Sequence, residues 1–97
     1  MSTPDPAEQR HAQAFQHTLQ NRAEVLASEV CGCYFCFNTF GPSAVREWYD
    51  EIDGRIVVHS EGQTARCPHC HLDGIIGSAS GFPITHDLLE ELSRYHD

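Results

Sequence analysis

The sequence contains no lysine. All six of its basic side chains are arginines, against 14 acidic ones, and its formal net charge is −8. These arginines are scattered and form no basic stripe, whereas most nucleic-acid-binding surfaces cluster Lys and Arg to displace counterions from phosphates. The charge therefore disfavours nucleic acid and favours protein partners, including basic ones, although acidity can also serve solubility alone.

The sequence also lacks a long apolar run. Its first letters, MSTPDPAEQR, contain no apolar core of a secretory signal, and no stretch reaches the length of a membrane span. The five cysteines are odd in number, so they cannot all pair in internal disulfides. We therefore expect a cytoplasmic, reducing location, where close cysteine pairs bind metal more often than they form disulfides.

Two cysteine pairs at metal-ligand spacing are the strongest motif: Cys33 with Cys36, and Cys67 with Cys70. A C-x-x-C turn places two thiolates on one side of a tight turn, and two facing turns form a tetrahedral four-sulfur cage. We therefore predict one structural Zn²⁺ on these four cysteines. Four protein ligands leave no open coordination position, so the site is not expected to be catalytic.

Three further side chains lie near enough to join or replace a ligand. Cys31 forms a second close pair with Cys33, and we interpret it as a spare thiol, either buried as a small hydrophobe or exposed and reactive. His69 and His71 flank Cys70, and we expect both to face solvent because four thiolates complete the shell. An iron–sulfur cluster on the same thiols is also chemically allowed.

A chain of 97 residues has room for one domain, whose small core would gain stability from a structural metal. We expect residues 1–6 to be disordered and residues 7–97 to form a single zinc-binding domain. Helical spacing predicts an amphipathic helix from residue 7 to about residue 30, with Phe15, Leu19, Leu26 and Val30 on its apolar side.

Turn residues divide the middle of the chain into short elements. A helix-start signal at 42–43 predicts a short helix over residues 43–49. Asp-Gly at 53–54 and Glu-Gly at 61–62 predict turns, with residues 57–60 and 63–66 pairing as a hairpin.

Residues 75–76 predict a further strand, and residues 83–97 a last helix that is capped by Thr85 and presents Leu88, Leu92 and Tyr95 on one face. The predicted fold class is α+β: a small zinc ribbon with two Cys-x-x-Cys turns and short antiparallel strands, flanked by N-terminal and C-terminal helices.

The stretches CGCYFCFNTF (31–40), PSAVREW (42–48) and TARCPHCHLDGIIG (64–77) resemble a family of small bacterial zinc-ribbon-like proteins, usually labelled only as cytoplasmic proteins. The resemblance continues into the last helix and covers roughly two-thirds of the sequence. It implies a zinc-ribbon-like domain without an assigned enzymatic activity, and a metal role for the four cysteines. The chain departs from the family at His71, where glycine is more usual, and in the longer segment 49–62.

We expect a non-enzymatic protein–protein interaction module, because the metal site is closed, the surface is acidic and no catalytic constellation is visible. A narrower hypothesis is an acidic inhibitor or immunity-type protein for a basic partner. The candidate surface consists of Trp48, Tyr49, Asp50, Glu51 and Asp53, since aromatic side chains among carboxylates suit a basic partner. The competing interpretation is that the tryptophan packs on the zinc lobe and the acids are merely solvated.

A nucleic-acid-binding or transcription-associated zinc ribbon is the alternative function. This alternative is supported by fold analogy. It is also supported by Tyr34, Phe35 and Phe37 near the first cysteine turn, whose rings could stack on single-stranded bases. Net charge opposes this hypothesis. The sequence does not distinguish a monomer from a dimer.

Overall fold

The computed structural model describes the backbone of residues 12–96 and the side chains of residues 12–94. In that part of the chain, short helices and short antiparallel strands alternate. The elements are a helical stretch at 12–16 (α1), α2 (Arg22–Leu26), β1 (Cys31–Cys33), β2 (Thr39–Phe40), β3 (Trp48–Ile52), β4 (Arg55–Val58), β5 (Thr64–Ala65), β6 (Ile75–Gly77) and α3 (His86–His96). None of the described helices is long and apolar enough to span a membrane. The predicted disordered residues 1–6 lie outside the described range.

The strands form two three-stranded antiparallel sheets, which we call the ribbon sheet and the hairpin sheet. The ribbon sheet has the order β2-β1-β6, and the hairpin sheet has the order β4-β3-β5. In the ribbon sheet Cys33 pairs with Ile75, so the first cysteine turn leaves the sheet beside a fully buried strand. The second cysteine turn lies between β5 and β6 and therefore between the two sheets along the chain.

The single N-terminal helix that the periodicity predicts is wrong in its described part. The chain turns between α1 and α2, where Gln20 has a positive φ of 48°, and Leu19 and Leu26 are exposed rather than core. The cause is Asn21, whose buried amide donates to the Ile75 carbonyl at 2.8 Å and accepts the Ala65 N–H at 3.1 Å. These tertiary hydrogen bonds replace helical continuity, which propensity alone favours only weakly. Residues 7–11 lie outside the described range.

The predicted helix over residues 43–49 is also wrong. Only a single 3₁₀ turn forms, at Pro42–Ala44, and Trp48 already begins β3. Adjacent aromatic residues suit a strand, and Trp48 and Tyr49 pair there with Ala65 and Thr64 of β5. The Glu-Trp segment therefore belongs to the centre of a sheet instead of a helix surface.

The Asp-Gly turn is confirmed, but the predicted hairpin partner is wrong. Asp53 and Gly54 both have positive φ, 53° and 79°, which suits a two-residue hairpin turn between β3 and β4. Segment 57–60 thus pairs with the strand before it, and β5 occupies the other edge of β3. Gly62 allows this close approach, since a Cβ there would lie 2.5 Å from the Tyr49 nitrogen.

The strand at residues 75–76 and the C-terminal helix are confirmed. Thr85 caps α3, because its Oγ1 accepts the Leu88 N–H at 3.2 Å. Leu88, Leu89 and Leu92 are all buried, and Leu89 packs over Gly32 of β1, where an added Cβ would lie 2.9 Å from a Leu89 methyl. The core has two clusters, one around the cysteines and one beneath α3.

Candidate metal centre

The first cysteine turn starts where β1 ends. The Phe37 N–H donates to the Cys33 carbonyl at 2.9 Å, and the Phe35 N–H points at Cys33 Sγ from 3.4 Å. Phe37 closes the turn with a φ of 62°, in the left-handed region that usually favours glycine. The backbone is thus wound around the sulfur so that its N–H group can stabilise negative charge there.

The second cysteine turn repeats this geometry. The His71 N–H donates to the Cys67 carbonyl at 3.0 Å, while the N–H groups of His69 and Cys70 point at Cys67 Sγ from 3.3 and 3.5 Å. His71 has a φ of 63°, the counterpart of the positive φ in the first turn. The departure from glycine at this position therefore leaves the turn geometry intact.

The two turns bring their four sulfurs together. Ligand atoms of Cys33, Cys36, Cys67 and Cys70 all lie within 4.8 Å of one another. Across the two turns, Sγ of Cys33 is 3.6 Å from that of Cys70, and Sγ of Cys36 is 3.6 Å from that of Cys67. A tetrahedral site with metal–sulfur bonds of about 2.3 Å needs sulfurs about 3.8 Å apart. The cluster fits such a metal ion.

The charges of the cluster would be stabilised by a bound cation. Burial raises the pKa of Cys33 far above its usual value, and burial likewise raises the pKa of Cys67. Burial acts in the same direction on Cys36, but hydrogen bonds from Asn38 and from neighbouring thiols outweigh it and lower its pKa to about 7. Four thiolates would therefore repel one another in a partly desolvated site, and a bound divalent cation would remove that penalty.

Apolar side chains form the surroundings of the cluster. Val45, Trp48 and Ile75 are buried against the cysteines, and half-buried Phe40 packs onto the same group. The Phe40 ring lies 5.8 Å from that of His69, beside the second turn. Phe40 therefore packs against the cysteine cluster, and the apolar surroundings limit access of water to the sulfurs.

Arg66 forms hydrogen bonds to the outer side of the second turn. Arg66 Nε donates to the His71 carbonyl at 2.9 Å, and its Nη1 lies 3.3 Å from a carboxylate oxygen of Glu47. His71 Nδ1 donates to the other oxygen of Glu47 at 2.9 Å. These contacts hold the end of the turn against the segment that leads into β3.

The other ligand candidates stay outside the cluster. Cys31 is fully buried in β1, and burial raises its pKa to about 11, so it is the small hydrophobe of the two alternatives and not an exposed thiol. His69 and His71 are both exposed, as expected, and neither contributes to the four-atom group. All five cysteines are free thiols.

A second group of possible ligands, His86, Asp87 and Glu90, lies exposed at the start of α3. Glu90 already pairs with Arg94 at 2.5 Å, and its other oxygen is 3.8 Å from His86. The positive end of the helix dipole also opposes a cation here. We therefore assign no metal to this group.

The predicted partner surface at residues 48–53 is only partly on the outside. Trp48 and Tyr49 are each only 6% exposed; Trp48 packs in the cluster around the cysteines, and Tyr49 lines a cavity beside β4. Asp50 is held by the Gln63 N–H at 2.9 Å and by His59 Nε2 at 2.7 Å, and these hydrogen bonds lower its pKa. The two aromatic residues are thus largely buried while Glu51 and Ile52 of the same strand are exposed, and the partner role of this segment stays a prediction.

The acidic ends of this segment do remain exposed. Glu51 and Asp53 lie on the outside of the β3–β4 hairpin. The Tyr49 hydroxyl, by contrast, donates to Asp73 at 2.7 Å and ties β3 to the segment after the second cysteine turn. The fully exposed members of the predicted surface are therefore carboxylates, Glu51 and Asp53.

Two features of the site escaped the sequence analysis. Asn38 donates its side-chain N–H to Cys36 Sγ at 3.3 Å, and its position two residues after the cysteine was the signal that could have revealed it. The exposure of the apolar residues of β4 had no signal in the sequence, since a run of β-branched residues usually indicates a buried strand.

Comparison with protein-family models, with curated proteins and with solved structures finds no match to this chain.

Proposed function

We propose that this chain is a structural-zinc protein that acts as a protein–protein interaction module. The observation that carries the proposal is the four-cysteine cluster, which joins two turns thirty residues apart in the chain. Four thiolates at tetrahedral spacing suit Zn²⁺, whose structural sites commonly use such a donor set. Bound zinc would supply its charge and its four bonds, and the chain's own N–H groups would orient the sulfurs.

The interaction part of the proposal is supported by the surface of the β3–β4 hairpin. Every residue from 51 to 60 is exposed, and the exposed set includes Ile52, Ile56, Val57 and Val58. Ile56 and Val58 lie on one face of the hairpin and Ile52 and Val57 on the other, so exposed apolar side chains among polar ones are available to another protein on both faces. The net charge of −8 favours a basic partner. An inhibitor or immunity-type protein is one kind of interaction module that would bind such a partner.

The nucleic-acid alternative receives less support. Of the three aromatic residues that would stack on bases, Tyr34 is buried and Phe35 is half-buried. Phe37 is exposed, but its ring lies 5.2 Å from that of His86. A stacking platform needs several open rings in a positively charged groove. The resemblance to small zinc-ribbon-like proteins is compatible with either function and remains a proposal as well.

The metal part is tested by mass spectrometry under native conditions on gently purified protein. We expect one Zn²⁺ for each chain, and optical absorption without the visible bands of an iron–sulfur cluster. Visible charge-transfer bands, or a metal-free protein with an unchanged cooperative melt, would contradict the zinc assignment. Cys31→Ala is the matched control, because its thiol lies outside the cluster and the variant should retain the metal.

The interaction part is tested by cross-linking in cells at native expression level. We expect a reproducible protein adduct to the wild-type chain that is lost in a Cys33→Ser/Cys67→Ser variant, because that variant loses the zinc-stabilised fold. An absence of any protein adduct, with nucleic acid retained instead, would favour the alternative function.

A further inference from the structure

β4 is an edge strand whose outer side has no partner among the described residues. In an antiparallel pair, hydrogen-bonded residues alternate, and the two-residue turn makes Arg55 and Val57 face β3. The His59 N–H donates to a β3 carbonyl at 2.9 Å, as this alternation requires. The N–H and C=O groups of Ile56 and Val58 therefore point away from the sheet.

The edge carries apolar side chains without the usual protection. Ile56, Val57 and Val58 are 60%, 38% and 45% exposed. Natural edge strands are commonly protected by charged side chains, proline, a bulge or a covering element; β4 has a charged residue only at its start, Arg55, and no charge or proline from Ile56 to Val58. An edge of this kind is a template for an added strand.

A cavity adjoins the edge on the face that carries Ile56. It has a volume of about 190 Å³, and the lining residues are Tyr49, Ile56, Arg66, His71, Leu72 and Asp73. Leu72 is exposed, so the cavity has an apolar rim beside β4. Strand addition draws its specificity from such pockets, which receive every second side chain of the added segment.

Charge decides which occupant suits the edge. From residue 48 to residue 61, four carboxylates stand against Arg55 alone, which leaves a net charge of −3 with His59 neutral. Asp53 precedes β4 by two residues and Glu61 follows it by three. A second copy of this chain would bring the same negative charge to the contact, whereas a basic segment would be attracted.

We propose that the outer edge of β4 binds an extended segment of a basic partner protein as an additional antiparallel strand. The proposal rests on the interaction function proposed above and names its surface and the chemistry of its partner. Backbone groups of Ile56 and Val58 form the hydrogen bonds. One apolar side chain of the segment enters the cavity beside Ile56, and flanking Lys or Arg residues lie against Asp53 and Glu61.

The test is selection from a displayed library of random short peptides on the zinc-loaded full chain. We expect enriched peptides with an apolar, β-branched centre flanked by Lys or Arg. Val58→Pro should weaken their binding by at least about tenfold, since proline removes an outward N–H that the fold itself does not use. Ile56→Lys should weaken binding similarly through repulsion and a blocked cavity mouth.

Leu26→Ser is the matched control, because Leu26 is an equally exposed apolar residue of α2 that lies outside β4. It should bind the selected peptides as the wild type does, and zinc content should be unchanged in all three variants. Peptides that bind Val58→Pro and the wild type equally would overturn this inference while leaving an interaction function in place. Selection of no peptide, or of acidic peptides, would also overturn it.

Amide hydrogen exchange of the free chain tests whether the outer edge of β4 is instead occupied by a second copy or by another segment of this chain. Fast exchange at Ile56 and Val58 is expected, because both N–H groups face solvent. Protection that appears only at high protein concentration would assign the edge to a second copy. Protection in dilute monomer would assign it to a further segment of this chain, and either result would overturn the proposal.

Discussion

At the scale of single residues, the two cysteine turns share a backbone position with unusual geometry. Phe37 and His71, each directly after the second cysteine of its turn, have φ values of 62° and 63°. Non-glycine residues in this region carry strain of about 1 kcal/mol. The sequence motif identified the ligands, and it also pointed to this position through the departure from glycine at residue 71.

Replacing His71 with glycine should therefore be tolerated or slightly stabilising. The change removes about 1 kcal/mol of backbone strain, and the exposed hydrogen bond to Glu47 that it loses contributes about 0–1 kcal/mol. His69→Gly is the control, because His69 does not have a positive φ and should lose about 1 kcal/mol. Urea unfolding of the zinc-loaded proteins measures both. A larger loss in His71→Gly than in His69→Gly would contradict this account.

A second residue-scale effect concerns Asn21, whose side chain is buried where the start of α2 meets β5 and β6. It satisfies the Ala65 N–H and the Ile75 carbonyl, neither of which water can reach easily. Asn21→Ala should lower the free energy of unfolding by about 3 kcal/mol, because two buried backbone groups lose their partners. Denaturant unfolding tests this, with the exposed Gln16→Ala changing stability by less than about 0.5 kcal/mol. Equal stability of the two variants would show that the amide is not structural.

At the scale of secondary-structure elements, the hairpin sheet depends on a close contact between Gly62 and β3. A Cβ on Gly62 would lie 2.5 Å from the Tyr49 nitrogen and 2.7 Å from the Trp48 carbonyl carbon. Backbone atoms cannot give way as a flexible side chain can, so the strand pairing itself would have to shift.

Gly62→Ala should therefore destabilise the protein by about 2 kcal/mol or more. Gly41→Ala is the matched control, because the nearest atom to its Cβ would be 4.0 Å away and its φ is −76°. This control should stabilise by about 0.5 kcal/mol through the unfolded state. Thermal melts of both variants provide the measurement, and a tolerated Gly62→Ala would mean that Gly62 and β3 do not approach as closely as described.

Element prediction from sequence succeeded where a local signal agreed with the tertiary environment. The Asp-Gly turn, the strand at Ile75 and the helix capped by Thr85 each had such a signal. It failed for the long N-terminal helix and for residues 43–49, where Asn21 and Trp48 are governed by partners that are distant in the chain. Periodicity cannot register such partners.

At the scale of the whole molecule, the four-cysteine cluster is the only place among residues 12–94 where a bound structural metal could cross-link the turn after β1 to the turn between β5 and β6. Structural zinc contributes about 10–16 kcal/mol in small zinc peptides, which is as large as the whole usual stability of a domain, about 5–15 kcal/mol. The two core clusters alone are therefore not expected to hold the fold.

Removal of the metal by a chelator should abolish the cooperative melt. Serine at any one of the four cluster cysteines should do the same, whereas Cys31→Ala should keep one bound zinc and a cooperative transition. Metal affinity should fall as pH falls, because protons compete with zinc for the thiolates. Near-ultraviolet circular dichroism with zinc titration tests these outcomes, and a chelated chain that melts unchanged would refute them.

Sequence by itself determined the four sulfur ligands, the acidic charge and the turn residues, because spacing, composition and local backbone preference are properties of short segments. Only the tertiary structure decided that Trp48 and Tyr49 are buried and that β4 is exposed on an open edge. The reason is that aromatic and β-branched residues form strands in either setting. Which strand becomes central depends on pairings across the chain, here between β3 and residues 64–65, that no local pattern encodes.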